Sequence, residues 1–354
     1  MEPTRAVPIF DGHNDTLLDL YRPSPGKERT FFSQSEYGHI DLPRARAGGF
    51  GGGFFAVFIP AERGTSPTDR LPDGGAYEAP LPAPLELGYA QRIAMGMAGL
   101  LFKLEAESQG ELKVVRSAAE IAACLESGTI AAILHFEGAE AIDPGLESLE
   151  VFYQAGLRSL GPVWSRPTAF GHGVPFAYPR SPDTGPGLTD AGKNLVKACN
   201  RMRIMLDLSH MNEAGFWDVA SLSDAPLVAT HSNAHALCQS SRNLTDKQLD
   251  AIKESDGMVG LNFAVSFLRE DGRSDADTPL ATMVAHVRYL VDRLGIERVG
   301  LGSDFDGATM PQAVGDVSGL PKLMDALADH FSEADLRKIA HENWLRVLRK
   351  TWGG

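Results

Sequence analysis

The feature that most constrains this chain is a repeated alternation of short apolar runs with helical segments. Runs such as Ile130 to Phe136 are almost continuously apolar, which is typical of strands buried on both faces of a parallel sheet. About eight strand units follow one another, each with a helix or a long insertion behind it, and eight units favour closure as a barrel. We therefore predict an α/β fold, a (β/α)8 TIM-type barrel, as a single domain over residues 1–354 with extra C-terminal helices.

An open doubly wound sheet is the alternative for the same alternation. Such a sheet usually carries a glycine-rich phosphate-binding turn after an early strand, either G-x-G-x-x-G or G-x-x-x-x-G-K-[ST]. Neither pattern follows an early strand here. The barrel is therefore the favoured prediction.

Hydrophobic periodicity also predicts where the elements lie. After a first strand ending near residue 15, strands are predicted at 48–60, 130–136, 157–163, 204–208, 226–230, 258–263 and 299–302. Helices are predicted at 85–107, 117–126, 146–154, 189–203, 212–221, 245–255 and 280–294, with two or three more between 320 and 352. Segments 21–40, 61–84 and 164–187 are predicted loops, rich in Pro, Gly or Ser. Ser117 with Glu120 three residues later resembles a capping box.

Charge and cysteine content restrict the partners and the compartment. The net charge is −13, from 46 acidic and 33 basic residues, which argues against nucleic acid or an anionic membrane as a partner. Cys124, Cys199 and Cys238 are widely spaced and odd in number, so they predict buried thiols and no disulfide framework. The N-terminus lacks the apolar run of a secretory signal, and no stretch reaches about 18 apolar residues. We therefore predict a cytoplasmic protein.

The most informative short motif is His13-Asn14-Asp15, near the end of the first predicted strand. Side chains alternate along extended backbone, so His13 and Asp15 lie on the same face. A nitrogen and an oxygen donor together suit zinc or a neighbour in its series. The same spacing also arises by chance, so the metal interpretation depends on matching ligands elsewhere.

Four further polar residues follow predicted strands: Glu137, His210, His231 and Asp304. In a closed parallel barrel the active site lies at the carboxyl ends of the strands, so these side chains are expected to meet the first motif there. Together they place three imidazoles and three carboxylates on one rim. This set suits zinc or a similar first-row metal, and Glu137 could bridge two ions about 3.5 to 4 Å apart.

Each residue also has a plainer interpretation. Glu137 could cap the helix after its strand, and His210 or His231 could be a strand-end histidine satisfied by its neighbours. Asp304 and Asp306 could form turns through their side chains, which is the favoured interpretation for Asp306. The coincidence of five such strand ends favours a metal centre over these separate explanations.

Two other histidines lie close to this rim in sequence. His135 shares a face with Glu137 by strand alternation and is predicted to line the barrel below the site in a structural role. His172, in the glycine-rich segment FGHGVPF, is left open between a structural and a functional role.

Five motifs stand in an order that resembles a known family. They are DGHNDT, HFEGAE, MLDLSH, THSNAHALCQSSRN and VGLGSDFDG, and with the closing ENWLRVLR they span nearly the whole chain. The chain resembles the membrane dipeptidase (renal dipeptidase) family, zinc metallopeptidases related to the amidohydrolases. The resemblance implies a (β/α)8 barrel with two zinc ions. It implies that the two sites share Glu137 and are completed by His13 with Asp15 and by His210 with His231.

The resemblance also implies how the reaction is carried out. Asp304 would handle the proton of a metal-bridging hydroxide, so that Asp304 and Glu137 are the predicted catalytic residues. Arg242, in SSRN, would pair with the free carboxylate of a dipeptide. A guanidinium fork matches a carboxylate, although Arg242 at the start of a helix could also be a surface residue.

One position departs from the family pattern. Members commonly carry T-H-S or T-H-N after the fourth strand, where the histidine helps to polarise the substrate carbonyl, and this chain has Val163-Trp164-Ser165. The Trp164 indole can donate a hydrogen bond but cannot accept a proton. Either His172 reaches in from the same loop or the carbonyl is held differently, so Trp164, His172 and Arg242 are the predicted substrate-binding residues.

Three functions are compatible with these residues. The leading hypothesis is a dinuclear zinc dipeptidase that accepts small dipeptides, including those with a D-residue at the C-terminal position. The alternative is a metal-dependent amidohydrolase acting on N-acyl amino acids or another small amide. A non-catalytic ligand-binding barrel is disfavoured because it needs no complete ligand set. The predicted partner is a small dipeptide-like substrate, without nucleic acid or membrane, and a homodimer is left open.

Overall fold

A computed structural model describes residues 7–62 and 75–353, and it confirms the predicted barrel. Eight strands run parallel in the order β8-β6-β5-β2-β1-β11-β10-β9. A short strand, β4, pairs with β5 beside the barrel, and β3 and β7 form a separate antiparallel pair. The strands are β1 (Ile9–Asn14), β2 (Phe50–Val57), β3 (Tyr77–Glu78), β4 (Leu112–Val114), β5 (Ile130–Phe136), β6 (Leu157–Leu160), β7 (Ala177–Tyr178), β8 (Met205–Leu206), β9 (Val228–Ala229), β10 (Met258–Leu261) and β11 (Val299–Leu301).

The barrel is nearly closed. Between β8 and β9 an isolated bridge takes the place of a regular strand pairing. Asp207, just after β8, forms an isolated parallel bridge with Val228. Next to it, the Leu208 N–H donates to the Val228 carbonyl at 2.9 Å. Asp207 therefore stands where the two ends of the sheet meet.

Helices surround the barrel, and the predicted C-terminal helices are confirmed. They are α1 (Thr16–Tyr21), α2 (Leu42–Ala47), α3 (Leu87–Glu107), α4 (Ala118–Ser127), α5 (Glu147–Ala155), α6 (Asp190–Met202), α7 (Glu213–Leu222), α8 (Asp246–Glu254), α9 (Val265–Leu268), α10 (Leu280–Leu294), α11 (Leu320–Ala328), α12 (Glu333–Arg337) and α13 (Asn343–Trp352). A π-helical turn, Lys338–Glu342, joins α12 to α13. In α13 the Trp344 indole packs against Phe54 in the barrel interior and donates to the Leu301 carbonyl at 3.1 Å.

Several predicted boundaries differ from the observed ones. The strands predicted at 157–163, 204–208 and 226–230 are shorter, because the chain turns into the rim loops soon after the paired residues. The pairing of β3 with β7 falls within segments predicted as loops, while residues 63–74 of the first of these lie outside the described part. At α4, Ser117 accepts from the Glu120 N–H as predicted. The Glu120 carboxylate bonds the Arg116 N–H instead of the N-cap N–H, so the predicted box is incomplete.

The glycines of β2 allow the close strand approach predicted from the sequence. A Cβ on Gly52 would lie 2.2 Å from the Ala131 carbonyl oxygen of β5. A Cβ on Gly53 would lie 2.7 Å from the Asp11 carbonyl oxygen of β1. Since backbone atoms cannot move aside like side-chain ends, these positions need glycine. No helix of the described residues is long and apolar enough to cross a membrane.

Candidate metal centre and substrate pocket

The predicted metal ligands come together at the carboxyl ends of the barrel strands. Glu137 follows β5 and lies among three buried imidazoles. Its Oε1 is 2.9 Å from Nε2 of His210, and 3.6 Å from Nε2 of both His13 and His231. The Asp15 Oδ2 lies 3.4 Å from His13 Nε2 on the other side. Three nitrogen donors and two carboxylates therefore face one another across a space of a few ångströms.

The donor atoms fit more than one cation position. Among the described residues, close groups of ligand atoms are formed by His13, Glu137 and His231, by His13, Asp15 and Asp304, and by His13, His135 and Asp207. All three groups include His13, and the first two lie in the predicted centre. The third lies below it, inside the barrel.

Two observations indicate that this cluster suits a cation. Both ring nitrogens of His13 are buried and have no hydrogen-bond partner among the described residues. Burial and the charges of Asp15 and Asp304 raise the pKa of Glu137 well above its ordinary value, although His13 opposes the rise. For His13, burial is outweighed by the charges of Glu137 and Asp15, which raise its pKa to about 10. Buried carboxylates that favour a positive neighbour and an imidazole without a partner fit a divalent metal.

Arg242 is buried beside His210. Its guanidinium donates to the carbonyls of Ser209 and His231, and its Nη2 lies 3.3 Å from His210 Nε2. Nδ1 of the same ring lies 3.0 Å from the Ser165 hydroxyl. The Arg242 Nε has no partner among the described residues. Arg242 is therefore a buried residue of the site, and the alternative of a surface arginine is wrong.

Asp304 lies at the end of β11 with one carboxylate oxygen held by the protein. Its Oδ2 accepts from the Asn262 side-chain amide at 2.9 Å. Burial and the neighbouring Asp15 raise the pKa of Asp304, while His13 opposes the rise. The Oδ1 lies beside the Gly307 backbone, where an added Cβ would be 2.6 Å from it and 2.1 Å from Asp15 Oδ2. Gly307 therefore lets the chain pass close to both carboxylates.

A cavity of about 600 Å³ opens directly onto this centre. Asp15, Glu137, His210 and Asp304 form its polar floor. Polar and apolar groups contribute almost equally to its lining, and four aromatic side chains are among the apolar ones: Phe58, Trp164, Phe176 and Phe267. No lysine or arginine lines the cavity among the described residues.

Trp164 and His172, the two candidates for holding the substrate carbonyl, lie in different surroundings. The Trp164 ring lines the cavity, with its centroid 5.7 Å from that of His210 and 4.9 Å from that of Phe58. His172 is absent from the cavity lining, and its Nδ1 lies 3.4 Å from the Gly187 carbonyl oxygen. The structure brings Trp164 into the site and leaves His172 outside it.

Asp306 has a role that the turn interpretation did not predict. Its backbone is left-handed, with φ of 67°, but its side chain bonds outside its own turn. Oδ2 accepts from the Thr16 hydroxyl at 3.0 Å and from Arg29 at 3.2 Å, and Oδ1 accepts from the His39 N–H. Asp306 thus anchors the loop before α2 beside the cavity. The sequence carries no local signal for these contacts.

His135 lies in the barrel below the site, and its structural role stays a prediction. It is fully buried, and its Nδ1 lies 2.9 Å from the Ser159 hydroxyl. Burial, only partly opposed by the charge of Asp207, lowers its pKa to about 3, so the ring is neutral. Its centroid is 5.5 Å from that of His13.

Comparison with known proteins decides the family. The model of the family described as membrane dipeptidase, peptidase family M19, matches residues 3–352. The chain belongs to this family. As a member of the membrane dipeptidase family, it is a metallo-dipeptidase, a hydrolase that acts on peptide bonds. The resemblance seen in the five sequence motifs is confirmed.

Similar proteins include curated relatives and a solved structure. Dipeptidase aclJ of Aspergillus oryzae is 30% identical over 354 residues, covering 97% of this chain and 78% of the relative. An uncharacterized protein in the pqqA 5' region of Klebsiella pneumoniae is 51% identical over 254 residues, covering 72% of this chain and 94% of the relative. A metallo peptidase from Rhodobacter sphaeroides, liganded with a phosphinate mimic of the dipeptide L-Ala-D-Ala, is 54% identical. It superposes with a TM-score of 0.95 over 98% of this chain and 99% of that one.

Proposed function

We propose that this metallo-dipeptidase is a dinuclear zinc enzyme that hydrolyses small dipeptides, including those with a D-residue at the C-terminal position. The observation that carries the proposal is the convergence of three imidazole Nε2 atoms on Glu137 Oε1 at the floor of a cavity. Five donor residues, one of them a shared carboxylate, suit two ions better than one.

In this proposal the residues divide into two ligand pairs joined by Glu137. His13 and Asp15 would hold one ion, and His210 and His231 would hold the other. When bound, the ions lower the pKa of a shared water so that hydroxide exists near neutral pH, and they polarise the scissile carbonyl. The carboxylates and neutral imidazoles supply the charge balance that such ions need.

Asp304 carries the proton in this proposal. Because Asn262 already occupies Oδ2, Oδ1 is the oxygen left to take a proton from the attacking water and return it to the leaving amine. A raised pKa suits this exchange, since a carboxylate that holds a proton more readily is a better base and acid near neutral pH.

Arg242 and the aromatic walls select the substrate in this proposal. Arg242 does not itself line the cavity, but its Nη2 lies 3.3 Å from Nε2 of His210, which does. In this proposal the unpartnered Nε of Arg242 pairs with the free carboxylate of a dipeptide. The Rhodobacter sphaeroides relative is liganded with a mimic of L-Ala-D-Ala, which supports a dipeptide with a C-terminal D-residue here. Trp164 is proposed to line the substrate site, with its indole N–H as a donor toward the substrate.

Action on N-acyl amino acids is the second candidate function. The observation that favours it is Trp164, an apolar ring that lines the cavity at the position where family members commonly carry a histidine. Such a substrate keeps the free carboxylate but lacks a free amine. The two candidates therefore differ in whether the amine is required.

A matched substrate panel tests the proposal. We expect purified, metal-loaded enzyme to hydrolyse L-Ala-D-Ala and L-Ala-L-Ala, to act poorly on their N-acetyl forms, and to lose activity when verified chelation removes the metal. Amine release followed by mass spectrometry is the measurement. Preference for the N-acetyl compounds would favour the second candidate, and full activity after complete metal loss would contradict a metal-dependent reaction.

The compartment and assembly remain predictions. The three cysteines are buried free thiols, as the sequence predicted. The cytoplasmic location, the single-domain organisation and the homodimer stay as predicted or left open from the sequence.

A further inference from the structure

Three residues of the proposed site are preceded directly by a hydroxyl residue. The pairs are Ser209 with His210, Thr230 with His231, and Ser303 with Asp304. In every pair the hydroxyl residue gives both its backbone N–H and its hydroxyl to one buried aspartate. Asp207 receives the first two pairs of bonds and Asp11 receives the third.

Asp207 receives these bonds at the point where the barrel closes. Its Oδ1 accepts from the Ser209 N–H at 3.1 Å, the Ser209 hydroxyl at 2.7 Å and the Thr230 N–H at 2.9 Å. Its Oδ2 accepts from the Thr230 hydroxyl at 2.5 Å. One carboxylate therefore ties together the strand ends that carry His210 and His231.

The hydrogen bonds of the Thr230 hydroxyl determine which ring nitrogen of His231 carries the proton. The Thr230 hydroxyl has one proton, and it points to an Asp207 oxygen that can only accept. The Thr230 oxygen also lies 2.8 Å from His231 Nδ1, so in this contact it must accept, and Nδ1 must carry the proton. In the neutral ring this leaves Nε2 with a lone pair, and Nε2 lies 3.1 Å from His210 Nε2 and 3.6 Å from Glu137 Oε1.

We propose that Asp207 is a positioning residue that acts through the Thr230 hydroxyl to hold His231 with its proton on Nδ1 and its Nε2 lone pair directed at the metal centre. Asp207 does not touch the reacting atoms. It selects one of the two neutral forms of an imidazole, and only that form can bind a metal through Nε2 without first losing a proton. This inference rests on the proposed metal site for its consequence, but the proton position belongs to the metal-free protein and is measured there.

The variant Asp207→Asn tests the proton accounting with little change of shape. An asparagine oxygen at the Oδ1 position can keep the three bonds from Ser209 and the Thr230 N–H. The amide nitrogen at the Oδ2 position can only donate, so the Thr230 oxygen becomes its acceptor. The Thr230 hydroxyl then turns its proton to His231 Nδ1. We therefore expect His231 to carry its proton on Nε2 in this variant.

Nitrogen-15 NMR of metal-free protein measures the proton position directly. Histidine-labelled protein at pH 8 gives separate shifts for protonated and unprotonated ring nitrogens, and His231→Gln assigns the signal. We expect Nδ1–H in the wild type and Nε2–H in Asp207→Asn. A wild type with the proton on Nε2, or an Asp207→Asn protein that keeps it on Nδ1, would overturn the proposal whether or not the enzyme is dinuclear.

Two further variants separate the proton effect from general destabilisation. Thr230→Ser keeps the hydroxyl and should keep Nδ1–H, whereas Thr230→Val removes the acceptor and should give a mixture of the two forms. Asp11→Asn makes the same change beside Ser303, away from His231, and should leave the His231 signal unchanged. If Asp207→Asn does not fold, the comparison of Thr230→Ser with Thr230→Val tests the proposal instead. Equal His231 spectra for these two variants would contradict it.

The zinc affinity of the folded variants gives the functional consequence. Loss of a residue that orients a metal-bound histidine typically weakens metal binding by about 10- to 100-fold. We expect this loss in Asp207→Asn and Thr230→Val, and near wild-type affinity in Thr230→Ser, by competition with a chromophoric chelator. A changed proton position with unchanged zinc affinity would retain the tautomer assignment and contradict His231 as a metal ligand, which separates this inference from the proposed function.

Discussion

Replacing Asp304 by asparagine is expected to reduce kcat by about 10²- to 10⁴-fold, the range typical for loss of a general acid or base. The asparagine keeps the size of the side chain and can still accept from Asn262, but it cannot take up and return a proton. The metal content should stay nearly unchanged, because Asp304 is not among the proposed ligands. Steady-state kinetics on L-Ala-D-Ala, with elemental analysis of the same sample, is the measurement.

The alternative for Asp304 is that it binds metal. Its carboxylate lies close enough to His13 and Asp15 for the three to share one ion. The metal content of the Asp304→Asn variant therefore distinguishes a metal ligand from a proton carrier. Loss of metal in Asp304→Asn, without unfolding, would make Asp304 a ligand and contradict the role proposed for it. His210→Ala is the comparison, since it should lose metal. Asp306→Asn, which removes a carboxylate from the same turn, should reduce kcat far less.

Replacing Arg242 by alanine is expected to lower kcat/KM for free dipeptides by about 2 to 5 kcal/mol in transition-state stabilisation, roughly 30- to 5,000-fold. The reason is that the substrate carboxylate would then lie unpaired in a buried site. Burial lowers the pKa of Arg242 to about 10, with Asp304 and Glu137 opposing the shift, so the guanidinium is charged at neutral pH. Measured kcat/KM values for wild type and variant test the expectation.

Dipeptide amides supply the matched control for Arg242. Blocking the carboxylate should make the substrate poor for the wild type, and the Arg242→Ala variant should lose little more, because both changes remove the same pair. Arg242→Lys should recover only part of the activity, since a single ammonium cannot reproduce the planar fork. Equal wild-type efficiency on free and amidated dipeptides would contradict the pairing.

The fold was predictable because its signals are local and repeated. Continuous apolar runs mark the long central strands, and β5 begins and ends at the residues predicted. The glycines of β2 were interpretable because close backbone approach excludes a Cβ. The pairing of β3 with β7 was not predictable, because these two-residue strands lie about 100 residues apart in Pro- and Gly-rich segments and depend on contacts between distant loops.

The candidate site was predictable where residues lie at strand ends, and less so beneath them. The rule that strand ends meet at one rim brings Glu137 together with His210 and His231. The bonds of Asp207 and Asp306 connect residues on different strands and loops, and no spacing in the sequence encodes them. For His172 the sequence signal was misleading, because this residue is close to Trp164 in sequence but does not line the cavity.

The central claim is that two metal ions share Glu137, and anomalous diffraction at the zinc absorption edge tests it most directly. Crystals of zinc-loaded protein should show two separate anomalous peaks per chain, one beside His13 and Asp15 and the other beside His210 and His231, with Glu137 contacting both. A single peak, no peak, or a peak between His13, His135 and Asp207 in place of the upper pair would contradict the dinuclear centre.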